Sequence, residues 1–280
     1  MLITRVIVAI FLIALLLAAA LWLPSPVLTG LAALFAAVAV YELLKAEKVE
    51  NKRIYVYCAL SAAAIPIGVY FGLTSPVCEI CLIAISMLLF AEAVFSYGRK
   101  GELSFAVVTA AIFAGLIIPF CFSSLVSLKL MKNGGLLVIL SFVISAVSDT
   151  GGYFGGMFFG KHRGVVKASP NKSVEGFIGS FIMGIAGVLV FGVILDKALG
   201  IPVNYVLLAV YGALGNVTTQ IGDLAFSVIK RQAGIKDYGK LFPGPPRPLR
   251  APLVALRASS PPRSSSCPAS RPLRPGSASN

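Results

Sequence analysis

The chain has 280 residues; 58% of them are hydrophobic, only 12% are charged, and the net charge is +13. Soluble globular proteins are about 45–50% apolar and about 25% charged. The composition therefore excludes an ordinary soluble enzyme, a disordered regulator and, despite the positive charge, a protein that binds nucleic acid. It predicts an all-α polytopic integral membrane protein, because a helix satisfies its own backbone hydrogen bonds inside the bilayer.

Apolar stretches recur along the chain at lengths that can cross a bilayer, which takes about 20 residues in a helix. About eight transmembrane helices are predicted, at residues 6–23, 27–44, 54–73, 77–96, 104–124, 134–150, 177–195 and 203–221. Pro24, Pro76 and Pro202 stand at the ends of several stretches, as expected for a residue that interrupts helices. A cleaved signal peptide is an alternative for the first stretch, but its apolar run continues past the small residues that would form a cleavage site.

The basic residues indicate how these spans are oriented. If the N-terminus is cytoplasmic, fifteen lysines and arginines of residues 1–243 lie on the cytoplasmic side, and only Lys129, Lys132 and Lys197 lie outside. Lysine and arginine concentrate on the cytoplasmic side of membrane proteins. We therefore predict a cytoplasmic N-terminus, and the positive charge of residues 1–243 mainly reflects membrane topology.

Residues 244–280 differ in composition from the rest of the chain. These 37 residues contain nine prolines, eight serines and six arginines, and they contain no acidic residue. Such a segment cannot bury enough apolar surface to fold. We expect a membrane catalytic domain over residues 1–243 and a disordered tail over residues 244–280, and we interpret the tail as an out-of-frame or cloning-derived sequence.

Four acidic residues, Glu42, Glu92, Asp149 and Asp223, lie near the cytoplasmic ends of their predicted spans. Charged groups at membrane depth are costly and usually functional. None of the four lies near the middle of a span, which favours a site at the inner membrane surface over a path through the membrane. Two dense polar segments, which contain the last two of these acids, follow the sixth and eighth spans.

The second polar segment places several charged groups together if it continues as a helix. Asp223, Ser227 and Lys230 then share one face, with Arg231 beside them, because residues four and seven apart lie on the same side of a helix. A carboxylate can hold Mg²⁺ together with phosphate oxygens, and the cations can neutralise the phosphates. The alternative is a helix end whose basic side chains extend toward lipid headgroups, but this alternative does not explain the aspartate.

The first polar segment is rich in glycine. Gly152, Gly156 and Gly160 recur every four residues, a pattern that allows membrane helices to approach closely. Backbone amides that cradle a phosphate are the alternative; we favour helix packing because the segment lacks the Gly-Lys-Ser/Thr ending of a P-loop. The polar residues 169–173 are interpreted as a turn that supplies hydroxyls and a cation.

The histidine and cysteine residues exclude some classes of site. The chain has a single histidine, His162, which excludes multi-histidine zinc sites and leaves no obvious Ser-His-Asp triad. We interpret it as an exposed loop residue rather than a phosphate ligand. Cys78 and Cys81 form a Cys-x-x-Cys at the outer end of the fourth span, where helix packing is favoured over a metal or redox role.

At these residues the chain resembles the phosphatidate cytidylyltransferase (CDP-diacylglycerol synthase) family of integral membrane enzymes. The first matching motif comprises Ser148-Asp149-Thr150-Gly151, Tyr153-Phe154, Gly160-Lys161-His162, Ser169-Pro170, Lys172-Ser173 and Glu175-Gly176. The second comprises Gly222-Asp223-Leu224, Ser227, Lys230-Arg231, Lys236-Asp237 and Pro243-Gly244. Both motifs occur in the family's order and on the same predicted membrane face.

The resemblance implies Mg²⁺-dependent transfer of a cytidylyl group from CTP to phosphatidic acid for phospholipid biosynthesis, at the cytoplasmic face of a prokaryotic cell membrane. It implies a catalytic role for Asp223, Lys230 and Asp149. It implies substrate-binding roles for Lys172, Ser173, Ser227, Arg231 and Lys161. The implied metal ligands, for one or two metal ions including Mg²⁺, are Asp223, Asp149 and Asp237. A homodimer within the lipid bilayer is also expected.

The chain departs from the family pattern after Gly244. The pattern there continues with His-Gly-Gly, then Asp-Arg-x-Asp and a ninth span, whereas this chain reads Pro-Pro-Arg-Pro-Leu-Arg. We therefore expect weak or no activity from this exact chain. The alternatives are a CTP-dependent polyprenol or lipid kinase, which would release CDP instead of pyrophosphate, and a membrane transporter, which would carry ionisable residues in mid-span.

Overall fold

A computed structural model describes residues 14–15, 17–99, 102–164 and 166–235. Its helices, in chain order, are α1 (Ser25–Ala46), α2 (Lys52–Tyr70), α3 (Thr74–Ser96), α4 (Phe105–Ile112), a π-helical turn (Phe113–Ile117), α5 (Ile118–Leu130), α6 (Gly134–Phe158), α7 (Val174–Leu199) and α8 (Tyr205–Gln232). Within these ranges the chain forms no β-strand, only one isolated antiparallel bridge. The predicted all-α class is confirmed.

Six of the predicted spans are confirmed as helices that are long and apolar enough to cross a membrane. They are α1, α2, α3, the continuous unit from α4 to α5, α6 and α7. Half of the first predicted span, residues 6–13 and 16, lies outside the described residues. The last corresponds to α8, which has 28 residues but is not among the six, because four polar residues interrupt its apolar run: Asn216, Thr218, Thr219 and Gln220.

Side-chain caps fix where several helices begin. The side chains of Asn51, Ser104, Ser173 and Asn204 accept hydrogen bonds from backbone amides in the first turns of α2, α4, α7 and α8. Such caps satisfy amides that have no partner within the helix. The loop after α6 reaches the same end of the bundle as the C-terminal half of α8, because Lys172 of this loop contacts Asp223 of α8.

Helices α1 to α5 share one apolar core, which includes Val40, Leu44, Ile54, Ile65 and Leu89. A hydrogen bond connects the π-helical turn to α2: the Ser61 hydroxyl of α2 donates to the Gly115 carbonyl at 2.6 Å. Cys78 and Cys81 pack against the same core, which confirms the packing interpretation of this pair.

Helices α6 and α7 pack through glycines. A Cβ at Gly179 would lie 2.7 Å from the Gly151 carbonyl oxygen, and a Cβ at Gly176 would lie 3.0 Å from the Gly152 oxygen. A Cβ at Gly156 would lie 3.8 Å from the Gly176 Cα. The packing interpretation of Gly152 and Gly156 is therefore confirmed. It is wrong for Gly160, which lies in the loop after α6, where its nearest neighbours are Gly156 and the Ser173 hydroxyl. Helix α6 continues two turns past the predicted end of its span at residue 150.

Helix α8 contacts both groups of helices, the α1–α5 group and the α6–α7 pair. Asn216 is fully buried, and its side-chain amide donates to the Ser180 carbonyl of α7. Further along α8, the Phe226 ring lies 6.5 Å from the ring of Phe113 in the π-helical turn, and Ile229 packs against the α1–α5 core. Helix α8 is thus held against both groups: its middle contacts α7, and its C-terminal half contacts the α1–α5 group.

Candidate active site

Two predicted site residues form an ion pair at one end of the bundle. The Lys172 ammonium contacts Asp223 Oδ2, and the two side chains are 29% and 52% exposed. Lys172 lies in the loop before α7, and Asp223 lies on α8. The pair therefore joins the two polar segments of the sequence. The ammonium also lies 5.4 Å from the centre of the Phe177 ring, which shields one side of it.

Asp149 of α6 belongs to the same group of charges. It interacts electrostatically with both Asp223 and Lys172. Two carboxylates on neighbouring helices thus lie within electrostatic range of a single ammonium group. These three groups remain accessible because Asp149 and Asp223 are both exposed and Lys172 is partly exposed.

Helix α8 extends through Gln232, so Asp223, Ser227 and Lys230 share one helical face as predicted. The Ser227 hydroxyl donates to the Asp223 backbone carbonyl at 2.7 Å. Lys230 is half-buried, and Arg231 reaches across to the loop, where its Nε lies 3.4 Å from the Ala168 carbonyl oxygen. The face thus presents a carboxylate followed by two cations.

Other predicted residues have different surroundings. Ser173 is buried and accepts a hydrogen bond from the Gly176 amide at 3.1 Å, so in this structure its hydroxyl caps α7. Lys161 is exposed and forms no hydrogen bond or ion pair with any residue that the structure describes. Asp237 lies outside the described residues.

Sequence reasoning missed the contact between His162 and Glu175. His162 Nδ1 lies 2.6 Å from Glu175 Oε1, and the His162 backbone amide donates to the same carboxylate at 3.2 Å and 3.3 Å from its two oxygens. The sequence could have placed Glu175 in the first turn of a helix, because acidic side chains are favourable there. Its partner in the loop could not be predicted, because it depends on how the loop folds. The prediction that His162 is exposed is confirmed, since 76% of its side chain is accessible.

Sequence reasoning also gave Asn216 no role. A polar residue in the middle of the apolar stretch 203–221 was an available signal, because such residues often bond across helices in membranes. In the structure Asn216 also accepts a hydrogen bond from Gln220 one turn further along α8. These two residues fix how α8 is rotated against α7.

The acidic residues are compatible with a magnesium ion. Within the described residues, no three His, Cys, Asp or Glu side chains lie close enough together to hold a metal ion. Mg²⁺, however, usually binds through only one or two carboxylates and takes its other ligands from water and substrate phosphates. Asp149 of α6 and Asp223 of α8, which interact electrostatically, are two carboxylates that could serve as such ligands.

These features define a polytopic α-helical membrane protein with a charged site at one end of its bundle. The sequence model of the cytidylyltransferase family matches residues 3–245. This match covers all of the described helices and both polar segments. The chain therefore belongs to the cytidylyltransferase family.

Several relatives carry the name phosphatidate cytidylyltransferase. The protein of Mycobacterium bovis is 38% identical over 138 residues, which are 49% of this chain and 43% of that protein. The protein of Bacillus subtilis is 31% identical over 167 residues, or 59% of each chain. The protein of Staphylococcus saprophyticus is 33% identical over 164 residues, which are 58% of this chain and 59% of that protein. The aligned part of the chain thus spans between two fifths and three fifths of the length of these relatives.

Proposed function

We propose that this protein transfers the cytidylyl group of CTP to phosphatidate and forms CDP-diacylglycerol and pyrophosphate. The observation that carries the proposal is the ion pair between Lys172 and Asp223, with Asp149 in electrostatic contact. It unites the two polar segments at one end of a membrane bundle, where a lipid phosphate and a soluble nucleotide can meet. The relatives' name and the family match support the same reaction.

In this reaction a phosphate oxygen of phosphatidate attacks the α-phosphorus of CTP. The bond between the α-phosphorus and the oxygen that bridges to the β-phosphorus breaks, and pyrophosphate leaves with that electron pair. Both substrates are anions, so the enzyme must offset their repulsion and align them. Lys172, Lys230 and Arg231 are the cations that we assign to the phosphates.

We propose that Asp149 and Asp223 hold Mg²⁺, with Asp237 as a further candidate ligand. The bound ion would neutralise phosphate charge. In this structure the Lys172 ammonium neutralises Asp223. We propose that Lys172 exchanges this partner for a phosphate oxygen when the metal and the nucleotide bind, which would make the ion pair a feature of the substrate-free site.

The orientation predicted from the basic residues supports this assignment. It favours a cytoplasmic location, where CTP is available, for the loop before α7 and the end of α8. We propose that the protein resides in a prokaryotic cell membrane with its site at the inner surface. The homodimer stays a prediction.

Product analysis tests the proposed function. The full chain, purified in mixed micelles with phosphatidate, is given CTP and Mg²⁺, and the soluble products are separated. We expect pyrophosphate that depends on both lipid and Mg²⁺, at a low rate because of the altered sequence after Gly244. Release of CDP with a newly phosphorylated lipid would identify a kinase instead. Neither product above the lipid-free background, even from a chain whose ending after Gly244 is restored to the family's His-Gly-Gly and Asp-Arg-x-Asp pattern, would contradict the proposal.

A further inference from the structure

The loop between α6 and α7 folds back on itself as a short hairpin. Its two sides meet at an antiparallel bridge between Arg163 and Ser173. The Gly164 amide donates to the Lys172 carbonyl at 3.3 Å, and the Val174 amide donates to the His162 carbonyl at 3.1 Å. The first side of the hairpin therefore determines where the backbone of Lys172 lies.

The hairpin is attached to helices at its base. The Glu175 carboxylate of α7 holds His162 through three contacts, two from the backbone amide and one from Nδ1. The Arg163 guanidinium donates to the Gly156 carbonyl of α6 at 3.0 Å. We call the contact between His162 and Glu175 the clasp.

The support beneath the clasp is rigid. Glu175 belongs to the first turn of α7, which the Ser173 side chain caps. The next residue, Gly176, lies so close to α6 that a Cβ there would approach the Gly152 oxygen to 3.0 Å. The backbone of Glu175 therefore has little freedom to move. Because its carboxylate binds His162, it also restricts the position of His162 on the other side of the hairpin.

We propose that His162 and Glu175 are positioning residues that hold Lys172 beside Asp223, and that they thereby strengthen the binding of the CTP polyphosphate. This inference rests on the proposed function. Neither residue contacts Lys172 or Asp223 through a hydrogen bond or ion pair in the described structure; they act through the hairpin backbone. Loss of the clasp should therefore weaken nucleotide binding without removing any group that touches the nucleotide.

A double-mutant cycle separates this role from a general structural one. Equilibrium binding of CTP with Mg²⁺ is measured for the full chain and for Glu175→Ala, Lys172→Met and the double variant. We expect Glu175→Ala to weaken CTP binding about fivefold, and to have almost no further effect when Lys172 is already replaced, because coupled residues are not additive. A full fivefold loss in the Lys172→Met background would overturn the proposal.

Two variants of the histidine and one control sharpen the test. His162→Ala removes the side-chain contact at an exposed position, so we expect it to fold and to weaken CTP binding. His162→Asn places an amide nitrogen near the position of Nδ1 and should restore most of the binding. Lys167→Ala removes an exposed cation of the same loop and should bind CTP as the unaltered chain does. A His162→Asn variant as weak as His162→Ala, or an equally weak control, would contradict the proposal.

Hydrogen–deuterium exchange tests the clasp independently of the function. In Glu175→Ala we expect faster exchange at residues 162–174 while the middle of α7 stays protected. Unchanged exchange in the loop would contradict the proposal that the clasp orders the loop, even if the unaltered chain binds CTP. If the unaltered chain does not bind CTP, the proposed function fails, and the exchange data alone then decide whether the clasp orders the loop.

Discussion

Replacing Gly179 by alanine tests how closely α6 and α7 must approach. The added Cβ would lie 2.7 Å from the Gly151 carbonyl oxygen and 3.1 Å from the Gly155 Cα. Both neighbours are backbone atoms that cannot rotate away, so the helices must separate. Adding an atom to a packed interior typically costs about 1–3 kcal/mol, and each kcal/mol corresponds to roughly 2–4 °C in the unfolding midpoint of a chain of about 150–250 residues.

We therefore expect Gly179→Ala to lower the unfolding midpoint in detergent micelles by several degrees. Gly30→Ala is the matched control, because a Cβ at Gly30 of α1 has no neighbour within 4 Å. Alanine has the higher helix propensity by up to about 1 kcal/mol, so the control should be as stable as the original chain or more stable. A Gly179→Ala protein with an unchanged midpoint would refute the close packing of α6 and α7.

The remaining predictions concern α8 and the tail. Asn216→Leu removes the hydrogen bond that Asn216 donates to the Ser180 carbonyl of α7 and the one that it accepts from Gln220. A hydrogen bond contributes about 0.5–1.5 kcal/mol to stability, so we expect a lower unfolding midpoint; an equal midpoint would contradict the role of these contacts. Deleting residues 246–280 should leave the midpoint and CTP binding unchanged, since these residues lack a foldable composition; a clear loss of either would assign the tail a structural or binding role.

Most helices could be predicted from the sequence because apolar runs of bilayer length leave few alternatives. The end of α6, in contrast, could not be predicted from the sequence. Residues 151–156 include four glycines, which are poor helix formers and suggest a loop. In the structure they continue the helix, because the backbone of α7 packs directly against them. The gain from this packing depends on a partner helix, which local propensity does not include.

The candidate site could be predicted in part. The spacing of Asp223, Ser227 and Lys230 needs only helix geometry, and α8 has that geometry. The pairing of Lys172 with Asp223 depends on a hairpin, and the hairpin depends on the clasp between His162 and Glu175. Contacts of this kind join residues through a loop fold, so no periodic pattern in the sequence indicates them.

The central claim is that the protein transfers the cytidylyl group of CTP to phosphatidate. Following the α-phosphate of CTP tests this claim most directly. The full chain is incubated with phosphatidate, Mg²⁺ and CTP labelled at the α-phosphate, and lipid-extractable label is measured for the original chain and for Asp223→Asn. We predict that label enters the lipid with the original chain and is lost with Asp223→Asn, because that carboxylate lies at the centre of the site. Equal labelling by both proteins, or lipid labelling from the γ-phosphate instead, would contradict it.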